Sequence, residues 1–280
     1  MKKVCTLMLQ RNCPEVSERA AEHIQKWNGD LTDFFVVESG SDDDKIYTGQ
    51  KGVFHANWPD AKENGLRIPR GFNYGILESY KLDEDYDYYA IMTGDAKLFD
   101  ESTYEIMLEE MERHPRMGIL SPDSPLWGND IKSPLTNRNL TTHWLVPLVF
   151  WMVRKEFIQE IAKTFEKNNN TTYFFDGTNF RGGWTEEEII MKGYNENWIT
   201  CVTSRVNVEE DFSITQDNYA AMKTEPMEKA RNLGWEEAHT WLKGKYGMTT
   251  KQQYRALNLY VYESFLSRNP QYANLSCLRV

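Results

Sequence analysis

Short apolar runs separated by helix-length segments constrain this chain more than any other feature. Val4 to Leu9, Asp33 to Val37, Tyr88 to Met92 and Met117 to Leu120 are each too brief for a helix, and the stretches between them carry a helical period. Parallel strands need such crossovers, so the pattern predicts an α/β unit with a largely parallel sheet. The punctuation agrees. Asn12 followed by Pro14 reads as an N-cap with proline in the first turn, Val16, Ala20 and Ile24 recur on one stripe, and Gly29 stops the helix. Ser102 with Glu105 reads as a capping box whose helix closes at Pro115.

Farther along, Trp144 to Val153 reads as a buried run, followed by a helix with Phe157, Ile161 and Phe165 on one stripe and a strand at Trp198 to Val208. From about Asp217 the pattern is helical. Thr250 and Gln253 cap a last helix with Tyr254, Leu257, Val261 and Phe265 on one face. There is no internal repeat, low-complexity tract or Pro/Gly/Ser linker, which predicts one compact fold with the helical tail as lid or support.

Composition removes whole classes of function. With 280 residues, 40% hydrophobic and 13% aromatic, the chain can fill a core and is not disordered. A net charge of −10 argues against a nucleic-acid partner bound through its phosphates. The longest apolar stretch, Leu145 to Val153, contains a proline and falls far short of the ~20 residues of a membrane helix. The run after Met1-Lys2-Lys3 is too brief for a signal peptide, so the expectation is a soluble, cytoplasmic protein without a membrane span. Cys5, Cys13, Cys201 and Cys277 have neither metal-site spacing nor disulfide density and read as thiols in a reducing compartment, leaving the sequons at Asn139, Asn170 and Asn274 unmodified.

In an open parallel sheet, ligands bind beyond the carboxyl ends of the strands. Those positions are polar here: Gln10-Arg11-Asn12, then Glu38-Ser39-Gly40-Ser41 with Asp42 to Asp44, then Thr93-Gly94-Asp95. Glu38 and Asp95 directly end apolar strands, which favours a ligand role. Asp42 and Asp44 read as a solvated turn edge.

These residues resemble a family. Phe35 to Asp43 is similar to the "VVD-N-GS-x-D" element of family 2-like glycosyltransferases of the GT-A fold. Gly71-Phe72-Asn73-Tyr74-Gly75-Ile76 resembles their "G-x-N-x-G-I" helix start, Tyr88 to Asp95 their strand ending in D-x-D, and Phe175-Asp176 with Gly183 to Glu187 their "FD…G-x-G-E-D" segment. The four elements, in order, cover residues 3 to about 212. The resemblance implies a GT-A, Rossmann-like sheet in domain 1–212, with residues 1–123 for the nucleotide sugar and 124–212 for the acceptor, and a helical extension over 213–280. It implies a UDP-sugar donor and a glycan acceptor. Glu38 would read the nucleobase, with Leu9, Gln10, Ser41 and Asp43 around it. Arg70, Gly71 and Asn73 would approach ribose and diphosphate, and Thr93 and Gly94 would lead into Asp95, a ligand of Mn²⁺ or Mg²⁺. The first motif Asp is Thr93 here and the family's later metal-site His is missing from Glu209 to Ser213, so Asp211 stands in as second ligand and the ion binds mainly with the donor. The aromatic-rich texture also resembles glycosyltransferases of large algal viruses, which puts UDP-xylose first among donors, before UDP-glucose and UDP-galactose, and the host cytoplasm as location.

Thr185 to Glu188 reads as a helix start with Thr185 as N-cap and Glu188 completing a capping box. By the resemblance, Glu187 is the catalytic base of an inverting displacement and Glu186 its neighbour, while Arg181, Gly183 and Trp184 contact substrate. Trp58, Trp127 and Trp144 are candidates for an acceptor groove, and mostly core by residue type. Two other classes stay open: a glycoside hydrolase using Glu187 and Asp95, and a non-catalytic nucleotide- or carbohydrate-binding module.

Overall fold

The structure is a computed structural model and describes residues 4–49, 52–124, 139–211 and 227–278. In chain order the elements are β1 (Val4–Gln10), α1 (Pro14–Asn28), β2 (Thr32–Glu38), β3 (Gly52–His55), α2 (Pro59–Asn64), α3 (Arg67–Ser79), β4 (Tyr88–Thr93), β5 (Ala96–Leu98), α4 (Thr103–Arg113), β6 (Met117–Asp123), β7 (Leu140–Thr142), β8 (Phe150–Arg154), α5 (Lys155–Ala162), α6 (Thr185–Asn195), β9 (Ile199–Glu210), α7 (Met227–Tyr246) and α8 (Lys251–Arg268). Trp127, the Phe212-Ser213 pair and the onset of helix near Asp217 lie outside the described residues.

The strands form one sheet in the order β3-β2-β1-β4-β8-β6-β9-β5, with β7 also on β9. β3, β2, β1 and β4 are mutually parallel, and β6 and β9 run the same way. β8 is reversed between β4 and β6. The sheet is thus mostly parallel, as its unbroken apolar strands require: Tyr88 to Met92 are all buried, since helices cover both faces. On one face, α3 lies close over β1 and β2 because of its glycines. A Cβ on Gly71 would stand 2.4 Å from Leu9 Cδ1, and one on Gly75 2.7 Å from Val37 Cγ2.

Two caps here differ from expectation. α1 starts at Pro14 with Cys13 as N-cap, and the Cys13 N–H donates to Gln10 Oε1 at 2.8 Å. Asn12 is drawn away, in left-handed backbone at φ 58°, to exchange hydrogen bonds with Asp42 at 2.7 and 3.2 Å. Ser102 stands at the N-cap of α4 without a side-chain bond; instead Thr103 donates its hydroxyl to the Asp100 carbonyl at 2.6 Å. The Thr250–Gln253 capping box forms as expected.

Two junctions shape the carboxyl edge. β5 pairs antiparallel with the end of β9, which brings Asp95 opposite Asp211: the Asp211 N–H donates to the Asp95 carbonyl at 2.7 Å. Helix α8 runs along α6 in matched register. Lys251 meets Trp184, Arg255 meets Glu187, and the Tyr262 and Tyr194 rings pack 5.0 Å apart. Among the described residues no helix is long and apolar enough to cross a membrane. All four cysteines are free thiols.

Candidate active site

The ends of β1 and β4 open into a cleft of about 590 Å³. It is lined by Leu9-Gln10-Arg11 and Thr93-Gly94-Asp95 at the strand ends, while Asn12 of the expected polar set does not line it. Arg67 enters from the start of α3, and Arg181, Gly183 and Trp184 from the turn before α6. That turn is tightly wound. Gly182 and Trp184 both have positive φ, 77° and 68°, and a Cβ on Gly182 would stand 2.7 Å from Pro69 Cγ. Arg181 is fixed by Glu237 of α7, which accepts its backbone N–H at 3.1 Å and pairs with its guanidinium.

Other expected contacts stand outside the cleft lining. Glu38 is 3% exposed and spends both oxygens within the protein: Oε2 accepts from Gln10 Nε2 at 2.5 Å and the Tyr47 N–H at 3.2 Å, and Oε1 from the Ser41 N–H at 3.0 Å. Ser41 Oγ accepts the Asn12 N–H at 2.8 Å. Glu38 and Ser41 therefore lock the β2 loop onto Gln10. Asp43 is at the surface, paired with Lys62 at 3.2 Å. Arg70 donates to the Gly177 carbonyl at 2.9 Å, and Gly71 faces Leu9.

Asn73 is fully buried, and all four of its bonds go to residues 171–175. Oδ1 accepts the N–H groups of Phe174 and Phe175 at 3.0 and 2.8 Å, and Nδ2 donates to the carbonyls of Thr171 and Phe175 at 3.2 and 2.8 Å. Its replacement by alanine should cost about 3 kcal/mol, since two buried N–H groups lose their acceptor at roughly 1–3 kcal/mol each. Urea denaturation reads this directly. A loss below about 0.5 kcal/mol would mean those amides are satisfied elsewhere.

The acidic first turn of α6 divides by direction. Its N-cap is Trp184, not Thr185, whose hydroxyl donates to the Gly182 carbonyl at 2.8 Å. The expected capping box is absent because Glu188 turns inward, 0% exposed, to accept from Tyr246 Oη at 2.5 Å and Lys245 at 2.7 Å. Glu187, 4% exposed, turns to α8 and stands 3.5 Å from Arg255 Nη2. Its carboxyl is raised by burial, against the opposing pull of Arg255 and Lys251. Half-buried Glu186 lies near the Leu148 N–H and Glu210, and neither it nor Glu187 is part of the cleft lining. Burial first, then the charge of Glu187, push its carboxyl up to about 7. A carboxyl poised there exchanges protons most effectively at neutral pH.

Thr93, in place of the first motif Asp, is committed to the Val149 carbonyl: its N–H donates at 3.1 Å and its hydroxyl at 3.4 Å. Asp95 is the one carboxylate among the described residues of the cleft lining, and its charge helps raise Glu210. Among the described residues no group of three or more His, Cys, Asp or Glu could hold an ion unaided. Asp95 and Asp211 adjoin through their backbones, and carboxylate oxygens are the donor type that a hard divalent cation takes.

No protein-family model and no curated protein matches the sequence. Solved structures do. The chain is similar to glucosyl-3-phosphoglycerate synthase from Mycobacterium tuberculosis in complex with Mn²⁺, UDP and glucosyl-3-phosphoglycerate, with 10% identity and a TM-score of 0.50 over 86% of this chain and 79% of that one. It is similar also to S. aureus TarS 1-349, with 10% identity and a TM-score of 0.52 over 94% of this chain and 80% of that one. The fold is GT-A. In GT-A terms the cleft lies at the carboxyl ends of β1 and β4, where an open α/β sheet takes its ligand.

Sequence reasoning missed several cleft residues. Arg67 heads α3, where Pro69 in the first turn was the available signal. Arg231 and Trp235 come from α7, together with Ala230, Gly234 and Ala238; this spacing of small residues marks a closely packed helix face. Trp58 packs edge-on against Tyr74 at 5.2 Å, and partly buried Trp144 packs against the core; neither lines the cleft.

Proposed function

We propose that this protein is a glycosyltransferase that moves a sugar from a UDP-sugar to a hydroxyl of a glycan acceptor. The single observation behind the reading is the meeting of Leu9-Gln10, Thr93 to Asp95, Arg67 and Gly183-Trp184 in one cleft of a GT-A fold. The similar mycobacterial synthase, crystallised with Mn²⁺ and UDP, supports it.

The nucleotide lies along Leu9 and Gln10, with Gln10 held in place by Glu38. Arg70, Gly71 and Asn73 shape this side from behind. Arg67 and Arg181 face the diphosphate, where guanidinium groups match phosphate oxygens. Asp95 and Asp211 would hold the divalent cation, which would supply charge stabilisation to the departing diphosphate. Glu186 takes the proton of the acceptor hydroxyl, which attacks the anomeric carbon in one displacement with inversion. Glu187, the base by sequence resemblance, stands beside Arg255, and its proximity helps raise the Glu186 carboxyl. A hydrolase pairing of Glu187 with Asp95 is disfavoured by the same turn of Glu187 toward α8. UDP-xylose is the first donor to test, then UDP-glucose and UDP-galactose.

UDP with Mn²⁺ at about a hundred times its Kd should stabilise the fold by about 2.7 kcal/mol and raise the melting temperature by roughly 5 °C or more. Release of UDP should then require a donor sugar, which separates an enzyme from a binding module. No shift with UDP, with or without Mn²⁺, would sink the reading.

A further inference from the structure

One wall of the cleft has Trp235 without a role. Small residues Ala230, Gly234 and Ala238 let α7 close on the turn before α6: a Cβ on Gly183 would stand 3.0 Å from that of Ala238. Arg231 and Trp235 are left facing the cleft. Trp235 keeps 43% of its surface open and is, of the three exposed large hydrophobic residues among those described, the one in the cleft. Its ring meets Trp184 edge-on at 5.4 Å, and the Lys251 ammonium stands 5.3 Å from its centroid. Arg231, one turn before it, is exposed and makes no ion pair among the described residues.

An open indole beside two cations suits a particular ligand. The apolar C–H face of a pyranose covers the ring, and the cations meet a negative substituent. An uncharged sugar uses only half of that set. Lys251 also feels the charges of Glu187 and Glu186, so this wall adjoins the carboxyl given the acceptor's proton. The overall charge of −10 makes a cationic patch here a local feature rather than a general one.

We propose that Trp235, with Arg231 and Lys251, forms the acceptor subsite and that the acceptor sugar carries an anionic group, a carboxylate or a phosphate. The word acceptor rests on the glycosyltransferase reading; the binding itself does not. Saturation-transfer NMR on the full chain, loaded with UDP and Mn²⁺, tests it with three probes: methyl β-glucuronide, glucose 6-phosphate and methyl β-glucoside. At least one charged probe should bind about threefold or more tighter than the glucoside, and the ratio between the two charged probes says which anion the subsite prefers. Trp235→Ala should weaken every probe about tenfold, the scale of one aromatic contact, with the melting-temperature shift by UDP unchanged. Trp235→Phe should recover most of the loss, and Arg231→Met should level charged and neutral sugars. Binding of none of the probes, equal binding of all three to the unmodified protein, or unchanged binding in Trp235→Ala overturns the proposal. Sugar binding retained in a protein that ignores UDP overturns the donor reading instead.

Discussion

Glu186→Gln should slow sugar transfer by about 10²–10⁴-fold, the range a positioned general base supplies, while UDP and Mn²⁺ still raise the melting temperature as in the unmodified protein. The amide keeps the shape and loses only the ability to accept a proton. Glu186 is singled out from its neighbours by direction. Glu188 is consumed by Tyr246 and Lys245, and Glu187 faces Arg255, whereas Glu186 turns toward Leu148 and Glu210. A second variant separates base from modulator. Burial and the charge of Glu187 hold Glu186 at about 7, so the active, ionised form accumulates only as pH rises through that value. Glu187→Gln removes the like charge and lowers the Glu186 value, so the acid limb of the kcat profile should move to lower pH with a smaller loss of rate. A Glu186→Gln enzyme at the original rate, or a loss ten times larger in Glu187→Gln than in Glu186→Gln, would return the base role to Glu187.

The strands and the strand-end residues were legible in the sequence because both arise from local pattern. A buried strand is an apolar run, and the residues leaving its carboxyl end are polar. Val4–Gln10, Thr32–Glu38 and Tyr88–Thr93 lie within about a residue of expectation at each end. β3, β5 and β7 were not legible: each has three or four residues and exists through pairing, as β5 does on β9. The site divides the same way. Asp95, Arg181, Gly183 and Trp184 come together in the cleft because each stands at a strand end or tight turn. Glu38 and Asn73 carry the right motif yet turn inward, since hydrogen-bond demand from residues 41–47 and 171–175 is met only when the chain is folded. Trp235 and Arg231 were invisible for the opposite reason. On a helix, exposure to a cleft is set by what the helix packs against, which its own sequence does not state.

Lys245→Met should destabilise the protein by about 3 kcal/mol while leaving the cleft lining untouched. Lys245 lies between two carboxylates of different elements, Asp176 and Glu188, which are 5% and 0% exposed. Removing the cation leaves Asp176 with the Trp241 indole N–H at 3.0 Å and the Thr178 hydroxyl at 2.5 Å, and Glu188 with Tyr246 and with Lys192 at 3.4 Å. Breaking a buried pair costs about 3–5 kcal/mol, and the lower end applies because Lys245 keeps 30% of its side chain in water. At roughly 2–4 °C per kcal/mol the melting temperature should fall by about 6–12 °C. The pH dependence gives the sign. Against its burial, hydrogen bonds from Lys245, Thr178 and Trp241 hold Asp176 down to about 2, so its contribution is full above its unfolded value near 4 and is lost as pH falls through about 2. Against its burial, Lys245 is raised by Glu188 and Asp176, so its share is full below about 10 and is lost as pH climbs past its folded value. The two proteins should therefore differ most between about pH 5 and 9 and converge toward pH 2. Because this network ties α7 to α6, the variant also loosens the wall that carries Trp235 against the helix that carries Glu186, and transfer should fail at a lower temperature than UDP binding does. A gap in melting temperature that is flat from pH 2 to 9 would show that packing of the lysine stem, rather than its charge, holds the two helices together.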